Sequence, residues 1–400
     1  MANSFSPVIH NQIVVTDEVL KFFVPFFCPL QSFDCPPSKE GCWTFKSPCL
    51  YTETNIIMFQ EAVQTMTKKE RIKAIAEGKK ADKIPYSFWS HLPMIDLDPV
   101  ALTEKTYEFY KKYDWDFIKT MNNGMYAIED FGCEIDYSEI ETGGVSKVVK
   151  TPLHCVEDWY NLKPTSIYSG SLARELKHLS LLLKKVQNED VPVVFTVFSP
   201  LTTANKLSGN TLKKYIEDGH KEAVHRALKV ITETTCELVK AVMDLGADGI
   251  FFATQNSNYD FMTEEEYREF AVKYDMDVLS TAKNGWMNVL HAHGNNIMVN
   301  ILKDYPVTFF NWHAWETAPE VSDAYEITGK CLMGGLNRTD ITKCNRENIR
   351  TQIRECCRIT EGKHLLLTPG CVIRYPLDED MLNYIKTTKE EIEKEMGIAD

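Results

Sequence analysis

A chain of 400 residues with 44% apolar and 25% charged side chains has the makeup of a folded globular protein, with length for a barrel plus an extension or for two domains. Its net charge of −13 argues against a nucleic-acid partner, because phosphate recognition needs a basic surface. No apolar run reaches the ~20 residues that span a bilayer, which argues against a membrane partner.

In chain order, Cys28, Cys35, Cys42 and Cys49 come first, evenly spaced. The segment around them has little periodic patterning, and residues 1–65 read as a poorly structured N-terminal extension. C-x2-C pairs are absent, and the N-terminus lacks the basic n-region of a secretory signal. Free thiols in a reducing cytoplasm are therefore expected. Met66 offers a second start. From there "MTKKERIKAIAEGKKADKIP" predicts a short helix capped by Thr67 and closed by Gly78.

Apolar β-like runs then alternate with helical patterns. The runs are Ile84–Trp89, Asp116–Met121, Val193–Phe198, Gly249–Ala253, Met287–His291, Val307–Trp312, Cys331–Leu336 and His364–Thr368. Helical periodicity marks Leu172–Lys185, Lys221–Leu245, Glu264–Lys283 and Arg346–Ile359. Strand–helix alternation implies a parallel sheet, and this strand count over residues 66–400 predicts an α/β fold, a (β/α)8 TIM barrel. Gly132–Pro164 reads as an inserted hairpin turning at Gly143-Gly144.

Barrel active sites lie at the C-terminal ends of the strands, so polar residues just after each run are the candidates. They include His91, Asn123, Ser199, Gln255, His291, His293, Asn311, His313, Arg338 and Cys371. In a strand, residues i and i+2 point the same way, so His291 and His293 project together into the mouth. Two imidazoles suit a borderline-soft metal, and the Cys371 thiolate at the end of the last strand would complete three ligands. Zinc held by three protein ligands keeps an open position for a reactant. Against this stands the chance H-x-H pair, whose histidines only hydrogen-bond neighbouring loops. No G-x-S-x-G elbow, Walker loop or H-E-x-x-H helix is present.

The stretches "KKYDWDFIKTMNNGMYAIEDFGCE", "VVFTVFSPLTTANKL", "VMDLGADGIFFATQNS", "NVLHAHGNN", "GKCLMGGLNRTDI" and "LLLTPGCVIRYPLDEDML" together resemble the uroporphyrinogen decarboxylase superfamily. The resemblance runs from Met66 to the C-terminus and implies a (β/α)8 barrel. In the true decarboxylases, first-strand arginines and an Asp after strand two bind the tetrapyrrole. Here "PYSFWSHLP" has no arginine, Asn123 stands at the Asp position, and Cys371 falls where that branch has a strand-eight His. The other branch, zinc methyltransferases of the methylcobamide:coenzyme M type, carries H-x-C-G-N and a late Cys. Laid on this chain, that pattern gives His291, His293 and Cys371 as zinc ligands, with His293 in place of the first Cys.

The resemblance thus implies a zinc enzyme moving a methyl group between a small substrate and a methylcorrinoid held by a partner protein. His313, Asn123 and Gln255 are the catalytic candidates, and His91, Ser199, Asn311 and Arg338 the substrate-binding ones. For these seven the alternative is ordinary barrel-mouth polarity. Two other functions stay open: a metal-free carboxy-lyase acting on a different small acid, and a non-catalytic corrinoid- or tetrapyrrole-binding protein.

Overall fold

The first ordered element is dictated by a few adjacent residues. Thr67 and Glu70 form a reciprocal capping box, the helix Lys68–Ala76 follows, and the chain leaves it at Gly78 with φ +72. A computed structural model describes residues 65–138, 140 and 146–398. All of them belong to the unit Gln60–Asp400. The expected N-terminal extension with its cysteines lies, but for Thr65, outside the described residues.

The strands are β1 Ile118–Lys119, β2 Glu134–Asp136, β3 Lys147–Lys150, β4 Val193–Phe198, β5 Gly249–Thr254, β6 Val289–Ala292, β7 Phe309–Trp312, β8 Cys331–Leu336 and β9 Leu365–Pro369. Seven form one parallel sheet in the order β1-β4-β5-β6-β7-β8-β9. The expected first strand is an irregular segment rather than a ladder, because Pro85 has no amide hydrogen to donate. It still joins both edges. The Leu367 N–H donates to the Pro85 carbonyl at 2.9 Å, and the Asp116 N–H donates to the Tyr86 carbonyl at 2.9 Å. With that segment in the eighth place, the architecture is an α/β barrel of the TIM type.

The inserted hairpin is present as the antiparallel pair β2–β3, with Ile135 opposite Val148. Its expected Gly143-Gly144 turn lies outside the described residues. The predicted helix Glu264–Lys283 is interrupted: a π turn over Arg268–Val272 separates Glu264–Tyr267 from Lys273–Thr281. In a regular helix, residues eight apart would point about 80° away from each other. One extra residue in a turn brings them back to the same side. Tyr267 and Asp275 thereby both face inward, where the Tyr305 hydroxyl donates to the Asp275 carboxylate at 2.6 Å and that of Tyr267 at 3.2 Å. Among the described residues, no helix is long and apolar enough to cross a membrane.

Strand alternation sorts the core into two bodies. Val193, Phe195, Ile250, Phe252, Leu332 and Leu365 pack outward against the helices. Phe117, Val194, Phe251, Val289, Phe309, Met333 and Leu366 fill the barrel interior. The same period of two decides what stands above that apolar floor. Lys119 follows Phe117, His291 and His293 follow Val289, and Asn311 and His313 follow Phe309.

Candidate metal centre and the cavity beside it

Register places the first pair of polar residues. Parallel pairing sets His291 beside Asn311 on adjacent strands. The Asn311 amide donates to the Met333 carbonyl at 2.6 Å and to the Pro369 carbonyl at 3.3 Å. Its oxygen must therefore be the acceptor in the 2.5 Å contact with His291 Nδ1. That fixes the tautomer: Nδ1 carries the hydrogen and Nε2 presents a free lone pair. The imidazole also stacks on Phe251, with centroids 5.3 Å apart.

Cys371 reaches the same place by a turn in the backbone. A Cβ on Gly370 would stand 2.6 Å from the Trp312 carbonyl and 3.0 Å from His313 Cα. Only glycine allows the exit of β9 to press this closely on the exit of β7. The Cys371 sulfur then lies 3.9 Å from His291 Nε2 and 3.6 Å from His293 Nδ1. The ligand atoms of His291, His293, His313 and Cys371 all fall within 4.8 Å of one another. His313 is buried, and its Nε2 has no hydrogen-bond partner among the described residues.

Electrostatics point the same way as distance. Burial holds His291 well below the usual imidazole range, with help from His293 and His313. Burial, then the Arg338 and Lys206 cations, lower His293 to about 4. Burial, His293 and Arg338 lower His313 to about 3. Three neutral imidazoles are three available lone pairs. Burial raises the Cys371 thiol, against the pull of Arg338 and Lys119. Sulfur and nitrogen ligands at usual zinc bond lengths in a tetrahedron lie about 3.5 Å apart, so the donor set fits zinc in kind and spacing.

Other predicted residues take varied places. Asn311 is fully buried with its carboxamide used within the protein, so its visible work is to orient His291. Ser199 caps the helix Pro200–Leu207, accepting the Thr202 N–H and donating to the Thr202 hydroxyl. Arg338 pairs with Glu316 at 3.3 Å. Gln255 is half-buried, and its backbone N–H donates to the Thr202 hydroxyl.

His91 and Asn123 instead line a cavity of about 540 Å³, with Asp96, Gly124, Val372 and Arg374 among its other walls. Val372, the residue after Cys371, is one of its walls, while the four cluster residues are not among them. A larger groove of about 700 Å³ runs over the helical shell by His225 and Lys273, where no strand end reaches. The cavity beside the strand ends is the one relevant to chemistry.

Two residues escaped the strand-end filter. Lys119 is buried in the barrel interior, with its ammonium 4.6 Å from the Phe251 ring and 3.2 Å from the Met121 sulfur. Burial lowers it to about 7. Its signal was a lysine at an inward position of the apolar run "DFIKTM". Asp96, in the loop after the first segment, carried no such signal.

The family model described as Uroporphyrinogen decarboxylase (URO-D) matches residues 67–390. The chain belongs to that family. It is similar to the methylcobamide:CoM methyltransferase MtbA of Methanosarcina acetivorans, at 23% identity over 248 residues, 61% of this chain and 70% of that protein. The MtbA of Methanosarcina mazei is 25% identical over 168 residues, 42% of this chain and 48% of its own length. A solved methyltransferase structure from Methanosarcina mazei has the same fold, with a TM-score of 0.71 and 19% identity over 82% of this chain and 99% of that one. Within the uroporphyrinogen decarboxylase family, this member has no arginine between Ile84 and Pro93, on the segment that completes its barrel.

Proposed function

We propose that the chain is a zinc-dependent methyltransferase, exchanging a methyl group between a small substrate and a corrinoid carried by a partner protein. The observation that carries this reading is the convergence of His291, His293, His313 and Cys371 at the barrel mouth. The likeness to two methylcobamide:CoM methyltransferases supports the direction of the chemistry.

His291, His293 and Cys371 would hold the ion, and His313 stands within reach of the same point. Zinc supplies Lewis acidity there, lowering the pKa of a substrate's thiol, hydroxyl or amine. The protein's own contribution is preorganisation. Asn311 locks the His291 ring and Phe251 supports its face. One thiolate among neutral imidazoles makes a less anionic donor set than one with two cysteines. Such a set favours activation of an oxygen or nitrogen substrate over alkylation of a bound thiol.

The test is metal analysis of purified protein and of Cys371→Ala and His291→Ala, together with demethylation of added methylcobalamin in the presence of candidate acceptors. Stoichiometric zinc in the native protein and its loss from both variants are expected, with methyl transfer lost in parallel. Zinc retained by both variants would sink the assignment. A second reading, the metal-free carboxy-lyase, draws on Lys206. Its ammonium lies 4.4 Å from the Phe198 ring, and it pairs with no carboxylate among the described residues. Native protein that purifies without metal would favour that reading.

A further inference from the structure

The cavity beside the cluster holds two buried polar atoms with nothing to bind. Asp96 is 6% exposed, and among the described residues neither its Oδ1 nor His91 Nδ1 has a hydrogen-bond partner. The other Asp96 oxygen receives only a long bond, 3.3 Å, from the Asn123 amide. Buried carboxylates are ordinarily paired, because an unpaired one forfeits its hydration without return. Within a folded wall, such a group marks a place where something outside the chain completes the bonding.

Charge balance says what is missing. Asp96 interacts with Glu129 and with Glu175, and among the described residues the Arg174 guanidinium serves all three. Arg174 binds Glu129 at 3.0 Å and Glu175 at 3.1 Å. The Tyr137 hydroxyl donates to Glu129 at 2.8 Å, adding a hydrogen bond but no charge. Burial pushes Glu175 up to about 8. Asp96, raised by burial only to about 6, stays largely ionised at neutral pH. Both Arg174 contacts go to Glu129 and Glu175, so Asp96 has no ion pair of its own among the described residues. Arg374 does not fill the gap. It stands at the exposed rim of the cavity and makes no ion pair among the described residues. Lys119 and Lys206 act on His91 but do not line the cavity.

We infer that this cavity binds a small molecule through a protonated amino group, which donates to Asp96 Oδ1. The inference rests on the reading of the barrel mouth as the substrate site and names the substrate class for it. Arg374, at the rim, offers a place for an anionic group on the same ligand. A volume of about 540 Å³ suits a metabolite-sized molecule.

The test compares three probes of equal chain length, n-butylamine, 1-butanol and butyrate, titrated into the full-length protein as purified, at pH 7.5 and constant ionic strength. Ligand-observed NMR gives the affinities. The amine should bind about tenfold or more tightly than the alcohol or the acid, as a charge-assisted hydrogen bond requires. Asp96→Asn should erase the preference and Asp96→Glu should retain it, with melting temperature followed for each. Preference for butyrate, equal binding of the three probes, or an amine preference that survives Asp96→Asn in folded protein would each overturn the inference. Zinc is measured on the same samples. Native protein lacking zinc but preferring the amine would sink the methyltransferase reading alone, whereas zinc without amine preference would sink only the inference.

Discussion

The two ends of the barrel treat charge in opposite ways. At the base, Arg71 binds Asp82 and Asp116, each at 2.6 Å, and Asp116 also accepts the Tyr86 N–H at 2.9 Å. Asp248 is similarly filled, accepting from Lys69, the Trp286 indole and the Val193 N–H, each at 2.9 Å. At the mouth, by contrast, buried imidazoles are held neutral, and among the described residues Lys119 and Lys206 face no carboxylate and Asp96 Oδ1 has no donor. Satisfied charges hold a structure together, and unsatisfied ones are kept where a ligand will meet them. The base is built for stability and the mouth for binding.

That contrast can be broken at either end. The largest effect on folding should come from the base. Arg71→Ala leaves Asp116 buried without its cation and should cost about 3–5 kcal/mol in urea unfolding, with zinc content per folded protein unchanged. A stability loss below about 1 kcal/mol would show that the pair is not what closes the barrel. At the mouth, Asn311→Leu removes the acceptor that orients His291. Outer-shell changes of this kind weaken metal binding roughly 10–100-fold, measurable by competition with a chelator. Unaltered zinc affinity would mean that the tautomer of His291 is set by something else.

The smallest effect is a pH slope. His293 and His313 titrate at about 4 and about 3 in the fold, against 6.5 ordinarily. Their folded values are depressed, so their contribution is fully present above about pH 6.5. The unfolded chain takes up protons below that value while the folded chain does not. Metal-free protein should therefore lose stability as pH falls from about 6.5 toward 4. Each histidine contributes at most about 1.4 kcal/mol per pH unit, so His293→Gln should flatten the slope by up to that amount. An unchanged slope would place His293 in solvent rather than in the cluster.

Strand positions were legible because period-two patterning and strand length reflect the same pleat. Val193–Phe198 and Cys331–Leu336 have the observed bounds residue for residue. The pairing of His291 with His293 followed from the same rule. Residues whose role comes from a neighbour across the sheet were harder to place. Asn311 sits beside His291 and His313 beside His293 only through register, and Cys371 joins them only because Gly370 lets two strand exits press together. Asp96 lay outside any pattern, since a loop carboxylate is ordinary until its surroundings deny it water and a partner.

Local chemistry alone thus determined the helix cap at Thr67, the alternation of strands and helices, and the inward aim of His291 and His293. These depend on backbone geometry over a few residues. Tertiary structure decided which side chains meet: the cluster of three histidines with Cys371, the burial of Lys119, and the missing bond at Asp96. Distance and desolvation are properties of packing, and no short stretch of chain encodes them.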